Sequence, residues 1–159
     1  MQADRSGGQA TAGQETGGGS ALTRTAIILA VSVICATGAQ AQDFSCTVAS
    51  ITDGDTFKCT DGKKIRIHGI DAPEMDMQQG PASQAALAEM IGGQVAMCEQ
   101  NGTSYDRIVA TCLLDGQDIA AMMVQRAAAR DCPRYSGGAY AQFEDARHLA
   151  LPIGEFCWP

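Results

Sequence analysis

Side chains suited to phosphate chemistry fall in three short segments of the chain. Asp55 lies in Asp53-Gly54-Asp55-Thr56. Arg66, Asp71 and Glu74 lie in the run from Arg66 to Glu74, and Arg107 follows Tyr105-Asp106. Carboxylates can hold a hard divalent cation through oxygen and steer a water molecule. A guanidinium presents a planar fork that grips phosphate oxygens two at a time. Three carboxylates with two arginines are what metal-assisted attack of water on a phosphodiester requires. Each residue alone has an ordinary reading. Asp55 can cap a turn, Arg66 can face a surface acid, Glu74 can be a solvated loop residue, and Asp106-Arg107 a surface pair. Only their joint occurrence carries information. The two histidines, His68 and His148, read as ordinary surface residues.

Strands and turns must position these groups. Phe44 to Thr60 reads as two strands broken at Thr52-Asp53-Gly54, and Asp61-Gly62 turns the chain into a third strand over Lys63–Ile70. Asp-Gly between β-prone flanks is a strong hairpin signal. Pro73 stops the strand, leaving Asp71–Gly80 as a loop with two acids at its base. Pro81 opens a helix that runs over Ala82–Ile91 and stops at Gly92-Gly93. Gln94–Cys98 and Ile108–Leu114 read as strands four and five, the latter closed by Asp115-Gly116. Asp118 caps a second helix from Ile119 to about Arg130, and a third is expected from Ala139 to about Ala150, before Pro152. Five short strands with a helix between the third and fourth predict an α+β fold: a five-stranded OB-fold Greek-key β-barrel with three packed helices. That order brings the three chemical segments to one cleft.

Composition bounds the rest. Residues 1–23 are rich in Gly, Ser, Thr and Gln, too polar to bury a core. Arg24, the apolar run Ala26–Ala36 and the ending Ala39-Gln40-Ala41 predict a secretory signal cut after Ala41, since the run is shorter than the ~20 residues a membrane span needs. One domain then covers residues 42–159. Removing residues 1–41 takes away two acids and two bases, so the net charge of −7 is unchanged. Such a surface does not gather polyanions over long range, which argues against a packaging role on nucleic acid. Cys46, Cys59, Cys98, Cys112, Cys132 and Cys157 remain, without any Cys-x-x-Cys for zinc. An even count in a small exported domain reads as a disulfide framework with 15 possible connectivities. Neighbouring strands favour 46–59 and 98–112, which leaves 132–157. The expected location is periplasmic or extracellular, and the expected state a monomer free of the membrane after signal cleavage, with no stable protein partner.

Val48 to Thr56, Ile65 to Glu74, Tyr105-Asp106-Arg107 and the tail at Cys157-Trp158 together resemble the staphylococcal nuclease (thermonuclease) family, over nearly the whole of residues 46–158. Asp-Gly-Asp-Thr alone is weak; joined to Arg-x-x-Gly-Ile-Asp-Ala-Pro-Glu it is specific. The resemblance implies a calcium site made by Asp55, Asp71 and the Ala72 carbonyl, which suits hard oxygen donors. It implies that Glu74 orients or deprotonates the attacking water and that Arg66 and Arg107 hold the phosphate. Tyr105 matches a tyrosine beside the substrate, and Tyr135 is a further candidate for stacking. The implied reaction is hydrolysis of DNA and RNA to 3′-phosphate ends.

The chain departs from the pattern in places. The Met75–Gly80 segment is short and has no lysine, and Lys58, Lys63 and Lys64 are the only lysines present. Weak capture of long polynucleotides is the expected result. Ala127 stands where the family often has glycine, and would be strained if left-handed. A small insertion surrounds Leu151-Pro152. The competing expectation is an OB-type module of the cell envelope that binds nucleic acid or protein without cleaving it.

Overall fold

A computed structural model of the chain describes residues 43–159. The expected signal over residues 1–41 lies outside them. Strands β1 (Asp43–Ile51), β2 (Thr56–Cys59) and β3 (Lys64–Ile67) form an antiparallel meander. Strands β5 (Val95–Ser104) and β6 (Arg107–Leu114) form a long hairpin, with β5 against β1. Parallel pairing of β3 with β6 joins the two ends, Ile65 beside Ile108 and Ile67 beside Ala110. Five strands thus close on themselves, as the OB-type expectation required. Two short pieces complete the sheet structure. β7 (Gln117–Asp118) extends β6, and β4 (Ile70–Asp71) pairs with β8 (Arg130–Asp131).

Period-two alternation sets the barrel's inside and outside. Phe57, Ile65, Ile67, Ala96 and Ala110 point inward and are buried. Helix α1 (Gly80–Ile91) closes the barrel with Ser83, Leu87 and Ile91, buried at a spacing of four residues along one face. Helix α2 (Ile119–Gln125) adds Ile119, Met123 and Val124. Its cap is the one expected: Asp118 accepts from the Ala120 N–H at 2.8 Å.

The three disulfides pair Cys46 with Cys59 and Cys98 with Cys112, as neighbouring strands favoured, and Cys132 with Cys157, the pair that this left. Cys98 and Cys112 are directly opposed in the β5–β6 ladder. Loops of this size gain roughly 3 kcal/mol each by restricting the unfolded chain.

Four expectations need correction. β5 continues to Ser104, past Cys98. Its second half is polar because that face is exposed, so the apolar pattern ends before the ladder does. The second helix stops at Gln125 instead of about Arg130. Ala127 turns left-handed at φ 52°, and the Ala128 and Ala127 N–H groups return to Met123 and Val124 carbonyls at 3.0 and 2.8 Å. This Schellman closure reverses the chain and delivers β8 to β4. The third helix is not at Ala139–Ala150. Helix α3 is a single turn at Pro133–Ser136, followed by 3-10 turns at Ala141–Phe143 and Ala146–Ala150. The break falls where two acids have other uses. Glu144 accepts from the Asp131 N–H at 2.8 Å and Arg130 Nη2 at 3.1 Å. Asp145 caps the following turn by accepting from the Arg147 N–H at 2.9 Å. His148 is buried, with Nε2 2.7 Å from the Val124 carbonyl, and is not a surface residue.

Candidate active site

The Asp55 turn is pressed against the barrel end by a close approach. A Cβ at Gly54 would stand 1.8 Å from Ser83 Oγ on α1, so glycine alone lets the turn sit there. Asp55 is consequently buried. Its Oδ1 accepts from Thr56 Oγ1 and its Oδ2 from the Ala72 N–H, both at 3.0 Å. Ala72 therefore holds Asp55 through its amide and leaves its carbonyl without a hydrogen bond among the described residues.

Arg66 stands opposite Thr56 on β3 and beside Val109 on β6. Its Nη1 donates to the carbonyls of Ile67 and Ile70, each at 3.0 Å. Its Nη2 lies 3.0 Å from Asp55 Oδ2 and 3.5 Å from Asp71 Oδ1. Asp71 Oδ2 accepts from the Gly154 N–H at 2.8 Å. One guanidinium thus spans two acids that the sequence separates by sixteen positions. Even so, burial pushes the Asp55 carboxyl up to about 7; Arg66 lowers it, and the nearby Asp53 raises it again.

Arg107 begins β6, two residues from Val109 and hence on the face of Arg66. It is lightly held, with Nη1 3.4 Å from Thr56 Oγ1 and Nη2 3.3 Å from Ser104 Oγ. Tyr105 occupies the two-residue turn before it with φ 57° and is 97% exposed. Glu74 is exposed at the foot of the loop after Pro73. Arg66, Asp71, Glu74, Tyr105, Arg107 and Tyr135 all line one cleft of about 530 Å³. Asp55 and Ala72 lie beneath it, behind Arg66.

Three features of the cleft were not read from the sequence. His68 lines it and is half-buried rather than an ordinary surface residue, and burial followed by the Arg66 charge holds its pKa below the usual imidazole value. Phe156 enters from the carboxy-terminal tail. The lysines also gather beside the site. Lys58 and Lys64 face each other across β2 and β3 and line a second hollow, of about 330 Å³, shared with Tyr105 and Arg107. Lys63 pairs with Asp61 and Lys64 with Asp106.

Among the described residues no group of three His, Cys, Asp or Glu side chains is placed to hold a metal by itself. The donors present still suit a hard cation. They are two carboxylates and a free carbonyl, with no sulfur or imidazole.

Residues 64–151 match the family model described as staphylococcal nuclease homologue. The chain is also 30% identical over 153 residues to the succinoglycan biosynthesis protein ExoI of Rhizobium meliloti, covering 88% of this chain and 78% of that protein. It is 30% identical over 117 residues to a protein of Haemophilus influenzae named as an uncharacterized endonuclease, covering 70% of this chain and 65% of the relative. The chain belongs to the staphylococcal nuclease homologue family. Among the described residues no helix is long and apolar enough to cross a membrane.

Proposed function

We propose that this protein is an exported, calcium-dependent endonuclease that hydrolyses DNA and RNA phosphodiesters and leaves 3′-phosphates. The observation that carries the reading is the convergence of Arg66, Asp71, Glu74 and Arg107 on one cleft, with Arg66 paired to the buried Asp55. Three disulfides support an oxidising location, hence the periplasm or the medium.

Asp55, Asp71 and the Ala72 carbonyl would hold calcium, with water and a phosphate oxygen completing its shell. Bound there, the ion would neutralise charge on the phosphate as it is attacked. Arg107, held only by long hydrogen bonds, can turn its fork to the phosphate. Arg66 reaches the same phosphate from the side of the acids. Charge that grows on the pentacoordinate phosphorus then meets cations already in place, usually the largest catalytic contribution. Glu74 stands on the cleft wall, where its carboxylate can take the proton of the attacking water. Oxygen of that water bonds to phosphorus as the bond to the 5′ oxygen breaks. The 5′ oxygen takes a proton from solvent and leaves as a hydroxyl, and the phosphate stays on the 3′ side. Tyr105 and Tyr135 offer aromatic faces to the flanking nucleotides.

Digestion of plasmid and RNA by the oxidised protein tests this. Cleavage is expected with calcium, none with EDTA, and a loss of about 10²–10³-fold in kcat for Glu74→Ser or Arg107→Ala. Absence of calcium-dependent cleavage by the unaltered protein removes the reading. Cleavage that both substitutions leave intact shows that the chemistry lies elsewhere.

A further inference from the structure

The tail from Pro152 to Trp158 reaches the cleft, which Phe156 lines. The Gly154 N–H donates to Asp71 Oδ2 at 2.8 Å. A 3-10 turn at Glu155–Cys157, closed from the Cys157 N–H to the Gly154 carbonyl at 3.0 Å, then carries Cys157 into its buried disulfide with Cys132. Cys132 is itself anchored to the cleft floor, because its N–H donates to the Gly69 carbonyl at 2.9 Å. Between the two anchors Phe156 lines the cleft, as Tyr135 does, and is 51% exposed.

Gly154 has φ −66° and ψ 143°, which any residue can adopt, so its backbone does not need glycine. Its space does. A Cβ there would lie 2.2 Å from a ring carbon of Phe156. The missing side chain lets the ring fold back over Gly154. A phenyl ring left half in water at the wall of a charged cleft gains little from packing. It gains most from a flat apolar partner, and every nucleobase has such a face.

We propose that residues 152–158 are a strap with two roles at the nuclease site. Phe156 stacks on a base of the polynucleotide next to the cleaved bond. Gly154 is a positioning residue whose N–H sets the orientation of Asp71. The Cys132–Cys157 disulfide fastens both to the cleft. Among the described residues, the Gly154–Asp71 bond is the one long-range hydrogen bond the tail makes beyond Leu151, so nothing else of that kind would keep the strap in place. The inference rests on the nuclease reading and extends it to residues outside the three chemical segments.

The test uses the full oxidised protein, a short single-stranded oligonucleotide, and calcium titration. Trp158, the sole tryptophan, reports strap attachment through its fluorescence anisotropy. Phe156→Ala and Phe156→Leu should both raise KM roughly 5- to 100-fold, with kcat within about twofold, while Phe156→Tyr retains the original KM. Leucine keeps the apolar volume without the ring, so an unchanged KM in Phe156→Leu overturns stacking. Gly154→Ala and Gly154→Pro both add a Cβ, but proline alone removes the N–H, and −66° is its own φ. Gly154→Pro should bind calcium about tenfold more weakly than Gly154→Ala; equal affinities overturn the positioning role. Replacing Cys132 and Cys157 together with serine should lower the Trp158 anisotropy and produce both defects at once. Full activity with a freely moving tryptophan overturns the strap. An unaltered protein inactive on every polynucleotide refutes the nuclease reading instead, an outcome distinct from an active protein whose variants match it.

Discussion

Arg66 Nη2 stands 3.0 Å from Asp55 Oδ2, and both side chains are largely withdrawn from water. The arginine is therefore the counter-charge that lets an acid be buried, and on the proposed reading it is also a cation for the phosphate. Arg66→Ala should lower kcat by about 10²–10³-fold. It should also cost about 1–3 kcal/mol in urea unfolding. That is less than the ~3–5 kcal/mol of an orphaned buried charge, because Asp55 can take up a proton near neutrality. Arg66→Lys should rescue little of the activity, since an ammonium cannot serve the Ile67 and Ile70 carbonyls and two acids together.

Calcium should stabilise the fold. At 100 times its dissociation constant a ligand of the native state alone contributes about 2.7 kcal/mol. Thermal unfolding should move upward with calcium and return with EDTA. Asp71→Asn should abolish most of that shift while leaving the metal-free midpoint within a few degrees.

Ala127 carries strain that its position imposes. A left-handed alanine costs about 1–2 kcal/mol relative to glycine. Ala127→Gly should therefore stabilise the protein by about 1 kcal/mol, raising the melting temperature by roughly 3–6 °C. Calorimetry of the pair measures it, and activity should be unchanged.

Acid should loosen the segment behind β8. Partial burial raises the Glu144 carboxyl, but hydrogen bonds from Arg130 and the Asp131 amide outweigh that and hold it below the usual carboxylate value. A carboxyl depressed in the folded state stabilises fully above its unfolded pKa of about 4.3 and loses that contribution as pH falls through the folded value. Glu144→Gln should cost about 1 kcal/mol at pH 7, and the difference from the unaltered protein should shrink as pH falls below the unfolded pKa of about 4.3. Denaturant titrations on both sides of that pKa check the sign.

The barrel was legible because its signals are local. Asp61-Gly62 and Asp115-Gly116 are turn chemistry, and Phe57, Ile65 and Ile67 show the alternation of a half-buried sheet. The residues of the cleft were legible through motif spacing. What escaped depends on tertiary demand. Glu144 and Asp145 sit in a helix-like stretch, yet their carboxylates serve Arg130 and a turn. His148 looks like any polar residue until Val124 offers it a buried carbonyl. Phe156 lies far along the chain from most other cleft residues, and the Cys132–Cys157 bridge and the Gly154–Asp71 hydrogen bond bring it back.

The parallel seam between β3 and β6 has a consequence for how the protein matures. Each hairpin can form from its own neighbours in sequence, but the seam joins two that are distant along the chain. Thr56 and Arg66 belong to the first hairpin and Arg107 to the second. A chain with both hairpins formed but the β1–β5 and β3–β6 pairings open would hold Arg66 and Arg107 apart. On the proposed reading, competence to cleave should thus wait on long-range pairing, a safeguard in a cell full of polynucleotide.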